Sequence, residues 1–246
     1  MIYGRNPVME ALKSGREIEK VMMIRGGEGS LKKIEGMVRD RKIPVQYVEK
    51  AALDRMAVSD GETVNHQGVA AVVAAYHYAA IEDLFRKAEE KGETPFFVLL
   101  DGIEDPHNLG AILRSADGAG AHGVIIPKRR NVGLTETAAK SSAGAIEYVP
   151  VAKVANLVQT IDRLKEAGVW IGVCDMDGET YWNADLTGPI AIVIGSEGRG
   201  VSRLVRERSD FIVSMPMCGK INSLNASNAA AILMYEIHRQ RTVRLK

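Results

Sequence analysis

Cysteine is nearly absent from this chain. Cys174 and Cys218 are the only two in 246 residues, and no CxxC pair occurs. Neither a disulfide framework nor a zinc site is indicated, and both residues are expected as buried free thiols in a reducing compartment. Surplus charge is also scarce. The formal net is +1, so any attraction to nucleic acid must come from local patches rather than from the chain as a whole. No apolar run approaches the ~20 residues that cross a bilayer, and Met1-Ile2-Tyr3-Gly4-Arg5 opens no signal-like apolar core. The cytoplasm is the expected compartment, with no membrane and no metal among the partners. Internal repeats and low-complexity segments are lacking as well.

Several familiar catalytic signatures are missing too. There is no GxxxxGK[ST] loop, no GxSxG elbow and no HExxH. His66, His77, His107, His122 and His238 show no metal-ligand spacing and read as structural or surface residues. Gly118-Ala119-Gly120-Ala121-His122-Gly123 does match GxGxxG. It follows a helical pattern and opens a strand, the reverse of the dinucleotide context, so its glycines read as a helix stop and a turn.

What is present is ordinary globular composition, 46% hydrophobic and 26% charged, with length for one large or two modest domains. Residues 1–75 alternate helical and strand-like patterns. A helix starts at Asn6-Pro7, strands run over 21–24, 45–48 and 69–74, and a helix spans 31–41. Residues 76–94 are polar and helical and read as a linker. From residue 95 onward strands at 96–100, 124–126, 170–173 and 190–194 alternate with helices at 109–116, 136–142, 156–167 and from about 224. That order predicts a mainly parallel sheet covered on both faces, hence an α/β fold.

Three segments carry chemistry. In the first, a strand ends in Asp101-Gly102-Ile103-Glu104-Asp105-Pro106-His107, and a helix follows with Asn108 at its start and Arg114 nearly two turns on. The second is Gly195-Ser196-Glu197-Gly198-Arg199-Gly200 after the apolar run 190–194, and the third runs from Met215 to Asn225 after the apolar run 211–213. Glycine loops at strand ends let backbone groups approach a ligand closely. Each polar residue also has a plainer reading. Asn108 and Ser223 serve as helix N-caps, Glu197 favours the N-terminus of the helix after it, and Arg114 is a solvated helix charge.

Taken together, DPHNLGAILRSADGAGAHGVIIP, IVIGSEGRGVSRLV and MPMCGKINSLNASNAAAILMYE resemble the three signature motifs of the SpoU-type (TrmH-type) RNA 2′-O-ribose methyltransferases. YGRNPVMEAL and HQGVAAVV resemble the small substrate-binding domain of that family, so the likeness spans the chain. Within the family, the bacterial 23S rRNA guanosine methyltransferases come nearest in layout. The resemblance implies an L30e-like α/β RNA-binding domain (1–75), a linker (76–94) and a deep-trefoil-knotted SPOUT methyltransferase domain (95–246). It implies S-adenosylmethionine as methyl donor, held by Ile194, Gly195, Met215 and Leu224. It implies Asn108, Arg114, Glu197, Ser223 and Asn225 as catalytic residues, RNA as partner with rRNA before tRNA, and a homodimer. A tRNA methyltransferase and a non-catalytic RNA-binding protein are the alternatives. Basic clusters at Lys128-Arg129-Arg130, at Arg199, Arg203 and Arg206, and at Arg239, Arg241, Arg244 and Lys246 are expected to grip phosphates. One departure from the family pattern is Ala226 with Asn228 after Ser223-Leu224-Asn225, expected to alter helix packing rather than chemistry.

Overall fold

Alternating apolar runs and amphipathic stretches resolve into a 4-stranded and a 6-stranded sheet, with a small 2-stranded ribbon besides, in the computed structural model. It describes residues 1–13, 17–59, 62–73 and 76–244. The chain divides into two units, Met1–His77 and Tyr78–Lys246. Ala74, Ala75 and Lys246, which close the expected strand, the expected first domain and the last basic cluster, lie outside the described residues.

The first unit contains β1 (Ile2–Tyr3), α1 (Arg5–Lys13), β2 (Ile18–Met23), α2 (Ser30–Asp40), β3 (Val45–Tyr47), α3 (Lys50–Met56), β4 (Val58–Ser59), β5 (Glu62–Thr63) and β6 (Val69–Val73). Its main sheet has the order β1-β6-β2-β3, with β2 and β3 parallel and the other pairs antiparallel. Period-2 alternation assigns the two faces. Val21, Met23, Val69 and Ala71 pack with Val8 and Leu12 of α1 and Ile34 and Val38 of α2, while Met22 and Ala70 pack with Leu53 of α3. The unit therefore has its own two-sided core.

The second unit continues with α4 (Ile81–Lys91), β7 (Phe96–Asp101), α5 (Pro106–Gly118), β8 (Gly123–Pro127), α6 (Glu136–Ser141), a 3-10 turn (Ala145–Glu147), β9 (Val151–Val154), α7 (Leu157–Glu166), β10 (Trp170–Thr180), β11 (Ile190–Gly195), α8 (Arg203–Arg208), β12 (Phe211–Ser214) and α9 (Ala226–Arg244). Its 6-stranded sheet has the order β12-β10-β11-β7-β8-β9, and every pairing is parallel. Central strands of such a sheet are apolar throughout because both faces are covered. Phe96 to Leu100 and Ile190 to Ile194 are accordingly all buried. Phe97, Leu99, Ile125, Val173 and Val193 face Leu84 of α4 and Ile161 and Leu164 of α7. On the other side α5 and α9 pack on each other and on β8 and β11.

Several expectations change here. The stretch 76–94 is no free linker, because Leu84 is fully buried in the second core and Ala79 bridges to Ala152 of β9. The run 211–213 is an edge strand with Phe211 and Ile212 only half-buried. β10 extends seven residues past Val173, with its register shifting between Cys174 and Glu179. Cys218 is exposed rather than buried. Among the described residues, no helix is long and apolar enough to cross a membrane.

Candidate functional site

β7 and β11 lie side by side in the middle of the second sheet, with Ile194 opposite Leu100 and Gly195 opposite Asp101. Chain order reverses between them: from β7 the chain builds outward through β8 and β9, then returns to set β11 against β7. At such a switch point the loops leaving the two strands part and leave a crevice. The GxGxxG stretch lies between α5 and the start of β8, at the opposite ends of the strands, with Gly120 at φ 77° turning the chain.

Two cavities open at the crevice. One, of about 390 Å³, is lined by Ile194, Gly195, Met215, Ser223, Leu224 and Cys174 among others. The other, of about 490 Å³, is lined by Asp101, Gly102, Glu104, Asn108 and Arg130 among others. Residues 196–200 border both, so this loop is their common wall. The loop is tight: Gly200 N donates to Ser196 O at 2.9 Å and Ser196 N to Gly200 O at 3.2 Å. A Cβ on Gly195 would stand 2.2 Å from the Gly200 carbonyl carbon, so only glycine fits. Asp101 Oδ2 accepts from Ser202 N at 2.7 Å and pins the far end of the loop to β7.

Across this wall runs a polar network. Asn225 caps α9, its Oδ1 accepting from Ser227 N at 3.0 Å, Ser227 Oγ at 2.6 Å and Asn228 N at 3.3 Å. With the oxygen so engaged, the amide nitrogen must point the other way. It donates to Asn108 Oδ1 at 3.0 Å and also to Glu197 Oε1. Asn108 Nδ2 in turn donates to Glu197 Oε1 at 2.9 Å. Residues from three distant segments are thus oriented in sequence by one helix cap. Glu197 Oε2 has no partner among the described residues.

The plainer readings of the sequence are corrected at both helices. Asp105 rather than Asn108 caps α5, accepting from His107 N at 2.9 Å, because Pro106 starts the helix earlier. Asn225 rather than Ser223 caps α9. Ser223 is exposed and lines the first cavity. Asn228 is exposed at the helix start, so its polarity burdens no core, and Ala226 is buried. Arg114 stands apart on the exposed side of α5, with no ion pair to Glu197 and no place in either cavity lining. Of the basic clusters, Lys128, Arg129, Arg130 and Arg199 are exposed, with side chains unpaired among the described residues. Arg206 is committed to Asp175 at 3.0 Å and Asp177 at 3.1 Å, and Arg203 lies 3.5 Å from Glu207. Arg239 pairs with Glu236 at 2.7 Å. Arg241 donates to Thr94, Pro95 and Gly188 carbonyls and stacks on Phe96, so it clamps the fold. The sequence places Asp101 in a polar strand-end turn and Arg130 in a basic cluster, but their places here, Asp101 pinning the loop and Arg130 lining the second cavity, follow only from the fold.

The first cavity combines apolar side chains with strand-end backbone and a glycine that no other residue can replace, which suits a flat, partly apolar nucleoside held by backbone groups. Cys174 on its wall is held as the thiol by burial, its pKa pushed up to about 11.

Residues 95–235 match the SpoU rRNA Methylase family, and residues 1–79 match the RNA 2′-O ribose methyltransferase substrate binding family. The chain is 50% identical over 242 residues to a protein of Bacillus subtilis named as a TrmH family tRNA/rRNA methyltransferase, covering 98% of this chain and 95% of that one. It is similar in structure to the SpoU methyltransferase AviRb from Streptomyces viridochromogenes in complex with AdoMet. The TM-score there is 0.62 at 25% identity, over 98% of this chain and 90% of that one. A TrmH/SpoU tRNA modifying enzyme of A. aeolicus gives a TM-score of 0.57 at 29% identity, over 66% of this chain and 84% of that one.

Proposed function

The chain belongs to the SpoU methylase family and is an S-adenosylmethionine-dependent RNA methyltransferase; from that premise we propose that it methylates a ribose 2′-hydroxyl of 23S rRNA, at a guanosine. The observation that carries the reading is the shared wall. One loop separates a cavity lined partly by Ile194, Met215 and Leu224 from one bordered by charged and amide side chains, and the Asn108–Glu197–Asn225 network crosses it. Ile194, Gly195, Met215 and Leu224 would hold the donor, which supplies an electrophilic methyl group on a sulfonium. Asn108, Glu197, Ser223 and Asn225 would orient the ribose, fixing the acceptor oxygen in line with that methyl.

A ribose hydroxyl is too weak an acid to ionise near neutral pH, so its proton must leave as the new bond forms. Arginine stays protonated in proteins and is a poor acceptor for it. Arg114 is assigned instead to bind an RNA phosphate and stabilise the developing alkoxide, with phosphate or water taking the proton. Arg114 reaches neither cavity within one chain, which favours a homodimer that brings it to a partner's site. The face offered is suited to this. Gly118, one turn beyond Arg114, lies under the Tyr235 hydroxyl, and Tyr235 and Ile232 are 51% and 37% exposed. The family also implies the trefoil knot, a small RNA-reading first unit and a cytoplasmic setting.

The test is transfer of labelled methyl from S-adenosylmethionine to transcripts of 23S rRNA and of tRNA. The expected product is a label on 23S rRNA at a linkage that resists alkali. Label on a base, at a linkage still cleaved by alkali, overturns the ribose assignment, and label on tRNA alone overturns the rRNA assignment.

A further inference from the structure

Among the described residues, Lys42, Gln67, Arg130 and Ala143 are non-glycine residues with positive φ. Lys42 and Ala143 follow the ends of α2 and α6, where a left-handed residue commonly closes a helix. Gln67 is held by Arg5, whose backbone N and Nε donate to its side-chain and main-chain oxygens at 3.0 Å each. Arg130, at φ 56°, has neither explanation. It sits in the loop after β8, exposed, and its guanidinium meets no acceptor among the described residues.

The backbone there is nonetheless fixed. Asn131 Oδ1 accepts from Ile103 N at 2.8 Å, and Val132 N donates to Ile103 O at 2.7 Å, stitching this loop to the one after β7. Gly102, at φ 91°, faces Ser196 on one side and the Arg130 carbonyl on the other. Loops from β7, β8 and β11 thus close round the second cavity, with Arg130 and Arg199 both in its lining. A glycine would take this φ without steric cost. Strain kept at an arginine whose guanidinium pairs with nothing among the described residues points to an external ligand.

Resting on the methyltransferase reading above, we propose that Arg130 binds a phosphodiester of the acceptor strand beside the ribose, with Arg199 as the second cation of that subsite. The planar guanidinium matches phosphate oxygens two at a time. The four carboxylates of the cavity keep their charge, but among the described residues none pairs with Arg130 or Arg199. Three of them are held by neutral donors instead: Asp101 accepts from Ser202 N, Asp105 from His107 N and Glu197 from two side-chain amides. Both guanidinium groups therefore stay available to a ligand that brings its own anionic oxygens.

Arg130→Gly is the informative variant, because it removes the guanidinium while suiting the backbone; Arg129→Ala removes a neighbouring charge outside the lining. Both are compared with wild type on a 23S rRNA transcript over a potassium chloride series. For Arg130→Gly the expected result is a Tm at or above wild type and an S-adenosylmethionine Kd within about two-fold. KM for RNA rises on the order of ten-fold with a smaller change in kcat, and the salt slope falls by roughly 0.7–1, as for one lost phosphate contact. Arg129→Ala is expected to change KM far less. Wild-type KM and salt slope in Arg130→Gly, or equal losses in both variants, overturn the subsite. A wild-type protein that binds and methylates no RNA instead overturns the functional reading, and the subsite with it.

Discussion

Asn108 occupies a position where one atom decides between attraction and repulsion. Its Nδ2 faces Glu197 Oε1 at 2.9 Å while its Oδ1 accepts from Asn225. Asn108→Asp keeps the second bond and sets a carboxylate against a carboxylate. Like charges at this range raise the pKa of the pair, so the folded state binds a proton that the unfolded state does not. Stability then falls as pH rises through the window above the ordinary carboxylate pKa of about 4. Thermal melts should show Asn108→Asp less stable than Asn108→Ala at pH 8 and closing on it toward pH 5. A constant gap across that range would mean that Asn108 and Glu197 do not meet as described. Arg114 calls for a kinetic probe instead. Arg114→Ala should remove most turnover with S-adenosylmethionine affinity within a few-fold, and Arg114→Lys, which keeps the charge but loses the planar fork, should recover only part. Full turnover in Arg114→Ala would take the residue out of the mechanism.

The ends of elements hold most of what sequence pattern could not convey. His122, just before β8, accepts from Phe96 N through Nδ1 at 3.0 Å, and its Nε2 lies 3.0 Å from Glu93. The ring is fully buried, and burial holds its pKa below the ordinary histidine value, with Glu93 opposing more weakly. The unfolded chain therefore takes up a proton that the folded one resists, so this contribution is complete above the unfolded pKa of about 6.5 and is lost as pH falls below it. Melting at pH 7.5 and 5.5 should show a wild-type decline that His122→Asn lacks, Asn Oδ1 replacing Nδ1 as acceptor; equal slopes would assign the decline elsewhere. In the sequence the same residue is only part of a misplaced GxGxxG. By contrast the central strands were legible, because five consecutive buried apolar residues leave little choice of element. So were the loops holding Glu197 and Asn225, since glycines after such strands mark a site. Edge strand β12, the far half of β10 and the true helix caps were not legible: each depends on which strand lies alongside or which side chain turns back, and neither is a periodic property. The free arginines could not be told from the committed ones for the same reason, since Asp175 and Asp177 reach Arg206 only through the fold.

At the scale of the molecule, the division at His77 and Tyr78 places the whole crevice in the second unit. A fragment of residues 78–246 should therefore fold and bind S-adenosylmethionine alone while losing RNA selection. Where the cut falls matters more than the pattern of residues 76–94 implied. Leu84 is fully buried against the sheet, and Phe85 packs edge-on to Phe97 at 4.9 Å. Ala79 N donates to Val151 O at 2.8 Å, and Tyr78 Oη accepts from Leu134 N at 2.7 Å. Starting instead at residue 95 strips all of these. A single buried leucine truncation costs about 2–5 kcal/mol and a phenylalanine about 3–5 kcal/mol, against a total domain stability of about 5–15 kcal/mol. The shorter fragment should be marginal or unfolded. Urea melts of the two fragments and calorimetric titration with S-adenosylmethionine check this directly. A folded 78–246 fragment that binds no S-adenosylmethionine would place part of the donor pocket in the first unit. Equal stability of the two fragments would return α4 to the role of a connector.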